Sequence, residues 1–162
     1  MAVDPTLFRA TMAQFATGVT VVTTRDEAGR RFGLTVNAFA SVSLDPPLVL
    51  VCIDNRSDAH KGFRASGVFG VSVLAEGQED WSRRFATPGS EKWSGAAFET
   101  GSTGVSLVPG ALAHVECRVV AAHAAGDHTV YVGQVERLAA SPGRPLLYHA
   151  SAYGRVERGK DA

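Results

Sequence analysis

Four short runs in this sequence carry side chains that could bind or transform a ligand. In the first, residues 35–43, Thr35, Asn37, Phe39, Ser41 and Ser43 alternate with Val36, Ala38, Ala40 and Val42. A half-buried strand ordinarily shows water a mix of charges, yet this polar face carries none. Small neutral donors and acceptors on a rigid strand suit a flat polar ligand. The second run, Asp54-Asn55-Arg56-Ser57, ends the apolar stretch 48–53. If Ser57 caps a helix, its hydroxyl and the first free amides make an anion site, and Arg56 adds positive charge. The third, Arg83-Arg84, could approach that site from a second helix with planar forks suited to phosphate. Which of Arg56, Arg83 and Arg84 makes the contact is open. The fourth, Gly126-Asp127-His128, sets an imidazole beside an acid, where it could orient a polar substrate or hold a proton near neutral pH. Each run also has a plain reading: a solvated strand face, an N-cap with solvated arginines, a hairpin turn.

Other chemistries find no support. No GxSxG elbow, no GxGxxG after a strand and no GxxxxGK[ST] occurs, so nucleophile-elbow, Rossmann and P-loop sites are set aside. His60, His114, His123 and His149 lack metal-ligand spacing and there is no CxxC, which argues against zinc. Sixteen basic residues balance sixteen acidic ones without a basic stripe, so no nucleic-acid partner is expected. The apolar runs are strand-length, so no membrane span is expected. The N-terminus lacks the order of a signal peptide, and Cys52 and Cys117 sit in apolar strand-like runs. Both facts suit buried thiols in a cytoplasmic protein. The 162 residues fit a single domain, 1–162.

The elements that must position these runs follow from pattern and punctuation. Asp4 can cap a helix with Pro5 in its first turn and Gly18 as its stop, and Leu7, Phe8, Thr11, Met12 and Phe15 form its stripe. Runs 19–24 and 31–43 read as a hairpin, and 48–53 reads as a strand buried on both faces. A helix over 57–65 stops at Gly67, a strand follows over 68–74, and a helix over 78–85 carries Trp81 and Phe85 on one face. Residues 87–109 form a Gly/Ser-rich flap anchored by Trp93 and Phe98. Strands over 113–123 and 129–138 flank a turn, and 146–149 is a last strand. Strands outnumber helices and join through short turns. This predicts a mainly β protein, a closed or nearly closed antiparallel β-barrel with helices on its rim.

The runs FATGVTVVTT, GLTVNAFASVSLDPPLVLVCIDNRS, SGVFGVSVL and GDHTVYVGQV, within a match from about residue 11 to residue 153, resemble the flavin reductase-like family with the split-barrel, FMN-binding fold. These are small NAD(P)H:flavin oxidoreductases that serve two-component flavin-dependent monooxygenases. The resemblance implies a homodimer with flavin in a groove near the subunit interface. It implies that Thr35, Asn37, Ala38, Ser41, Val42 and Ser43 line the flavin ring with Cys52 nearby. It places the ribityl chain and phosphate on Asp54, Asn55 and Ser57, completes the pocket with Phe85 and Ala86, and offers Arg84 to the phosphate. His128 is implied on the nicotinamide side, which Tyr153 closes; residues 91–101 carry no implied role. The implied reaction is hydride transfer from NADH, or alternatively NADPH, to FMN or FAD, with reduced flavin leaving for a partner monooxygenase. Two rivals stand beside it: a non-catalytic flavin-binding relay protein, and a pyridoxamine-phosphate-type oxidase, disfavoured because Lys61, Lys92 and Lys160 are the only lysines.

Overall fold

The computed structural model describes residues 3–89 and 91–157, so Lys160 lies outside the described residues. The chain opens with helix α1 (Pro5–Met12), capped by Asp4, whose side chain accepts from the Thr6 amide at 3.0 Å. The helix stops at Ala13, short of the expected Gly18, because the Gln14 and Phe15 amides tighten back onto the Thr11 and Met12 carbonyls at 3.1 Å each. Gly18 instead belongs to strand β1 (Thr17–Gly18). The stripe Leu7, Phe8, Met12 and Phe15 is exposed rather than packed on the core.

Strands β2 (Thr20–Arg25) and β3 (Arg31–Val36) form the expected hairpin. The predicted single strand over 31–43 is broken. After the link Asn37-Ala38, β4 (Phe39–Leu44) pairs with β5 (Pro47–Asp54) instead of continuing along β2. The link turns because the Phe39 amide folds back to the Asn37 carbonyl at 3.0 Å, while the Cys52 amide claims the Ala38 carbonyl at 3.1 Å. A register shift between Ser41 and Ser43 interrupts the alternation further. The uncharged face over 35–43 is therefore not one surface. Strand β5 also differs from expectation: Val49, Val51 and Ile53 are buried, while Leu48, Leu50 and Cys52 are half-buried on its other side.

Helix α2 (Asp58–Ser66) begins and ends where its caps predict. Ser57 accepts from the Ala59 amide at 3.2 Å, and Gly67 closes the helix in the left-handed region (φ 63°), where a Cβ would be strained. Strand β6 (Val68–Val73), helix α3 (Glu79–Ala86) and a 3-10 turn (Glu91–Trp93) follow. Then come β7 (Glu99–Thr100), β8 (Ser106–Leu107), the long hairpin β9 (Ala113–Ala125) and β10 (His128–Ala140), and the short strands β11 (Leu147–His149) and β12 (Ala152–Gly154).

The main sheet runs β3-β2-β6-β9-β10-β5-β4. Its two edge strands, β3 and β4, are consecutive in the chain and separated by only two residues, so the sheet curls until its edges approach. No ladder among the described residues joins β3 to β4. The mainly β, antiparallel architecture is as predicted, but hydrogen bonds do not close it into a barrel. Phe63 of α2, Phe69 of β6 and Tyr131 of β10 pack with Val51 and Ile53 as one core. A second core, around Val21, Leu74, Phe85 and Val108, lies under α3.

Trp93 and Phe98 anchor the flap as expected, their rings 5.1 and 6.0 Å from that of Phe85. A second tether was not expected. Glu116, nearly buried in β9, accepts from the Thr103 amide at 2.8 Å, the Thr103 hydroxyl at 2.7 Å and the Ser102 amide at 3.1 Å.

Candidate functional site

A cavity of about 970 Å³ lies where β3, the end of β5, the start of α2 and the end of α3 meet, with the Lys92-Trp93 pair of the flap on one wall. Strand β5 delivers Asp54 to its rim, and the Ser57 amide donates to the Asp54 carbonyl at 2.9 Å, turning the chain into α2. Because the Ser57 oxygen accepts from Ala59, its own proton remains to donate. The first turn of α2 therefore faces the cavity with an anion-favouring end.

Helix α3 supplies the opposite wall. The Thr35 hydroxyl donates to the Ser82 carbonyl at 2.6 Å, and the Tyr153 hydroxyl meets the Ser82 hydroxyl at 2.9 Å. These bonds fix Phe85 and Ala86 at the cavity, and a glycine at position 33 lets the strand approach: a Cβ there would lie 2.7 Å from the Phe85 ring.

The rim is polar and paired. Arg56 grips Asp54 through its backbone amide at 2.8 Å and its guanidinium at 2.8 and 3.2 Å. Hydrogen bonding to Arg56 holds the Asp54 carboxyl down at about 2. His128 sits directly across the β10–β5 ladder from Asp54. Its Nδ1 is 2.7 Å from the Asp127 carboxylate; since a carboxylate only accepts, Nδ1–H donates and Nε2 is left for a ligand. The same bond lowers the Asp127 carboxyl from its ordinary value. Asn55 ties this rim together, its amide donating to the Asp127 carbonyl at 3.0 Å and its Oδ1 accepting from the Thr129 hydroxyl at 2.7 Å.

Of the residues singled out from sequence, Thr35, Asp54, Arg56, Ser57, Phe85 and Ala86 line the cavity together, and Asn55 and His128 stand on the adjoining rim. Asn37, Ala38, Ser41, Val42 and Ser43 lie beyond it, on the link and on β4, with half-buried Cys52 beside Ala38. Burial pushes the Cys52 thiol up. Arg83 pairs with Glu79, and Arg84 lies over the Trp81 ring at 5.6 Å and reaches the Ser94 carbonyl at 3.4 Å. Neither arginine lines the cavity, and neither does Tyr153.

Three of the cations that do line it were not expected. They are Arg30 and Arg31 at the start of β3, and Lys92 of the flap, besides the paired Arg56. The signal available in the sequence was a lysine beside a tryptophan within an otherwise Gly/Ser-rich loop, and two arginines in succession at a hairpin tip. The cavity thus joins an apolar wall, a capped helix start and positive charge. That combination holds a flat ring carrying an anionic tail.

Comparison with known proteins agrees with this chemistry. Residues 12–157 match the family model described as flavin reductase like domain. An NADH-dependent flavin reductase of a Rhodococcus species is 43% identical, covering 96% of this chain and 88% of that protein. The reductase subunit HsaB of a flavin-dependent monooxygenase from Mycobacterium tuberculosis is 39% identical, covering 96% and 84%. Among solved structures, the NADH:FAD oxidoreductase SgcE6 of Streptomyces globisporus, in complex with NAD and FAD fragments, superposes with a TM-score of 0.91 at 36% identity, covering 99% of each chain.

Proposed function

Because the chain belongs to the flavin reductase like domain family, we propose that it is a single-domain NADH-dependent flavin reductase that passes reduced flavin to a partner monooxygenase. The observation that carries this reading is the cavity itself, with the start of α2, Arg31 and Lys92 in its lining and Phe85 in its wall. The reaction class is hydride transfer from NADH to FMN or FAD, with the flavin ring as acceptor when bound. The protein's part is to orient and to exclude water. Ser57 and the first α2 amides seat the phosphate, and Asp54 and Asn55 meet the ribityl hydroxyls. The ring is assigned to Thr35, Phe85 and Ala86, continuing onto Asn37, Ala38, Ser41, Val42, Ser43 and Cys52. His128 Nε2 faces the nicotinamide, oriented by Asp127. Tyr153 acts by holding α3 through Ser82, and Arg84 is kept as a contact only for a ligand that extends past α3.

A homodimer supports the ring assignment, since β4 is open in one chain. Leu44 is 91% exposed, and exposed Val42 and half-buried Leu48 and Leu50 add apolar surface on the same strand pair. A second copy over β4 covers this face and completes the groove; sedimentation at the mass of one chain overturns it. No helix among the described residues is long and apolar enough to cross a membrane. A cytoplasmic site, where NADH is at hand, suits the proposed reaction, and fractionation of cells checks it.

Steady-state loss of NADH absorbance tests the function. Added FMN or FAD is expected to support turnover, faster with NADH than with NADPH. Absence of turnover with every pair overturns the enzyme reading in favour of a flavin-binding relay. In the same assay His128→Ala raises the KM for NADH roughly tenfold, the worth of one polar hydrogen bond, and leaves the KM for flavin in place. Ser57→Ala raises the KM for FMN but not for riboflavin, which has no phosphate. An unchanged KM for NADH removes His128 from the nicotinamide side, and equal effects on both flavins remove Ser57 from the phosphate.

A further inference from the structure

The charges lining the cavity are unevenly committed. Arg56 is bound to Asp54, and the lining acid Asp58 is bound to Lys61 from outside the cavity, whereas Arg30, Arg31 and Lys92 form no ion pair among the described residues. Lys92 is half-buried, donates only to the Gly33 carbonyl at 3.2 Å and lies 5.8 Å from the centre of the Phe85 ring. Burial lowers its ammonium from the ordinary lysine range, and the Asp58 carboxylate in the same cavity wall offsets this only in part, so an arriving anion relieves the remaining cost. The guanidinium carbon of Arg31 lies 4.7 Å from the centre of the Trp93 ring and 5.5 Å from that of Phe98. These cation–π contacts hold the guanidinium in place and leave its N–H groups for two oxygens of an anion such as phosphate.

The strand sets the order of these groups. Thr35, Gly33 and Arg31 alternate along β3 on the side that meets α3 and the flap, through Ser82, Phe85 and Trp93 respectively. Each two-residue step is about 6.6 Å. Moving away from the ring end at Thr35, a ligand meets Lys92 at the first step and Arg31 at the second. The start of α2 stands across the same cavity.

We propose that Lys92 and Arg31 form a diphosphate clamp, with Lys92 on the phosphate nearer the redox-active ring and Arg31 on the second, so that this chain selects an adenine dinucleotide over a mononucleotide. The proposal rests on the flavin reductase reading and deepens it. Two ligands of that reaction carry the required diphosphate, FAD and NADH, and Arg31 is the specificity-determining residue for whichever occupies the clamp.

Equilibrium titration without turnover tests it, with FMN, FAD and riboflavin added to the flavin-free protein and NAD⁺ added to the FMN-loaded protein. If FAD occupies the clamp, the unmodified protein binds FAD at least tenfold tighter than FMN. Arg31→Gln then removes that preference by weakening FAD at least tenfold while FMN stays within twofold. If the nicotinamide dinucleotide occupies it, Arg31→Gln weakens NAD⁺ tenfold and leaves FMN and FAD alone. Lys92→Met weakens each phosphorylated occupant in either case and spares riboflavin. The clamp is overturned if Arg31→Gln leaves both dinucleotides unchanged, or weakens FMN as much as FAD. Should that variant not fold, ADP is titrated against the dinucleotide-bound unmodified protein, and failure to compete overturns the clamp. Flavin binding that is absent altogether sinks the flavin reductase reading instead.

Discussion

Gly133→Ala is expected to lower the free energy of unfolding by about 3 kcal/mol, the upper range for overpacking a tight core. Gly133 lies on β10 between Val49 of β5 and Val119 of β9, at a register shift in the β9 ladder. A Cβ added there would collide with Cζ of Phe69, lie 2.5 Å from its Cε1 and sit 2.8 Å from Cβ of Cys117. The Phe69 ring cannot swing clear. It packs at 5.2 Å against Phe63, which packs at 4.6 Å against Tyr131. Relief must therefore come from the backbone of the central hairpin, where strain is shared among three strands. Urea unfolding followed by far-UV circular dichroism reads the effect. A loss below 1 kcal/mol would show that the hairpin yields more easily than its packing implies. Phe69→Leu added to Gly133→Ala restores part of the loss, because the smaller side chain vacates the space the methyl needs.

Glu116→Gln carries the second large effect, about 2–3 kcal/mol at neutral pH, from weakened charge-assisted hydrogen bonds beneath the 101–104 turn. Burial pushes the Glu116 carboxyl up, but the Thr103 amide and hydroxyl and the Ser102 amide and hydroxyl outweigh it, so the group sits below its ordinary value of 4.5. The unfolded chain thus binds the proton more readily than the folded one. Stability from this group is fully present above the ordinary carboxylate range and is lost as pH falls through the lowered folded value. Thermal melts of the protein and of Glu116→Gln are expected to differ at pH 7 and to converge as pH falls through the lowered folded value. A gap that stays constant across that window would assign the cost to packing rather than to charge.

How much of this was legible from sequence depended on whether a residue's role is settled locally. Ser57 and Gly67 marked the ends of α2 because an N-cap hydroxyl and a left-handed C-cap are decided within one helical turn. Trp93 and Phe98 read as anchors because an aromatic pair in a Gly/Ser-rich loop has few other uses. The break at Asn37-Ala38 was illegible, since TVNAFASVS alternates without interruption and the decision is taken by the Cys52 amide, more than a dozen residues later. The direction of the α1 stripe was illegible for a related reason: periodicity reports a face but not what covers it. The site was half legible. Thr35, Asp54 and Ser57 are brought together by strand and turn chemistry that pattern reveals, whereas Lys92 arrives on a flap whose path is set by packing on Phe85. Arg83 and Arg84 illustrate the limit, because only the helix packing shows that one meets Glu79 and the other Ser94.

The strand order has a consequence for the sequence of events during synthesis. Residues up to Leu112 contain two separate pieces of the main sheet, β3-β2-β6 and β5-β4, tied by α2 but with no ladder between them. The hairpin β9–β10 joins them, pairing β6 on one side and β5 on the other. It leaves the ribosome after both of them. Until it does, the inner edges of both pieces are open for pairing with other chains, and Val51, Phe63 and Phe69 wait for Cys117 and Tyr131 to complete their core. The keystone of the main sheet is laid after both of its flanks.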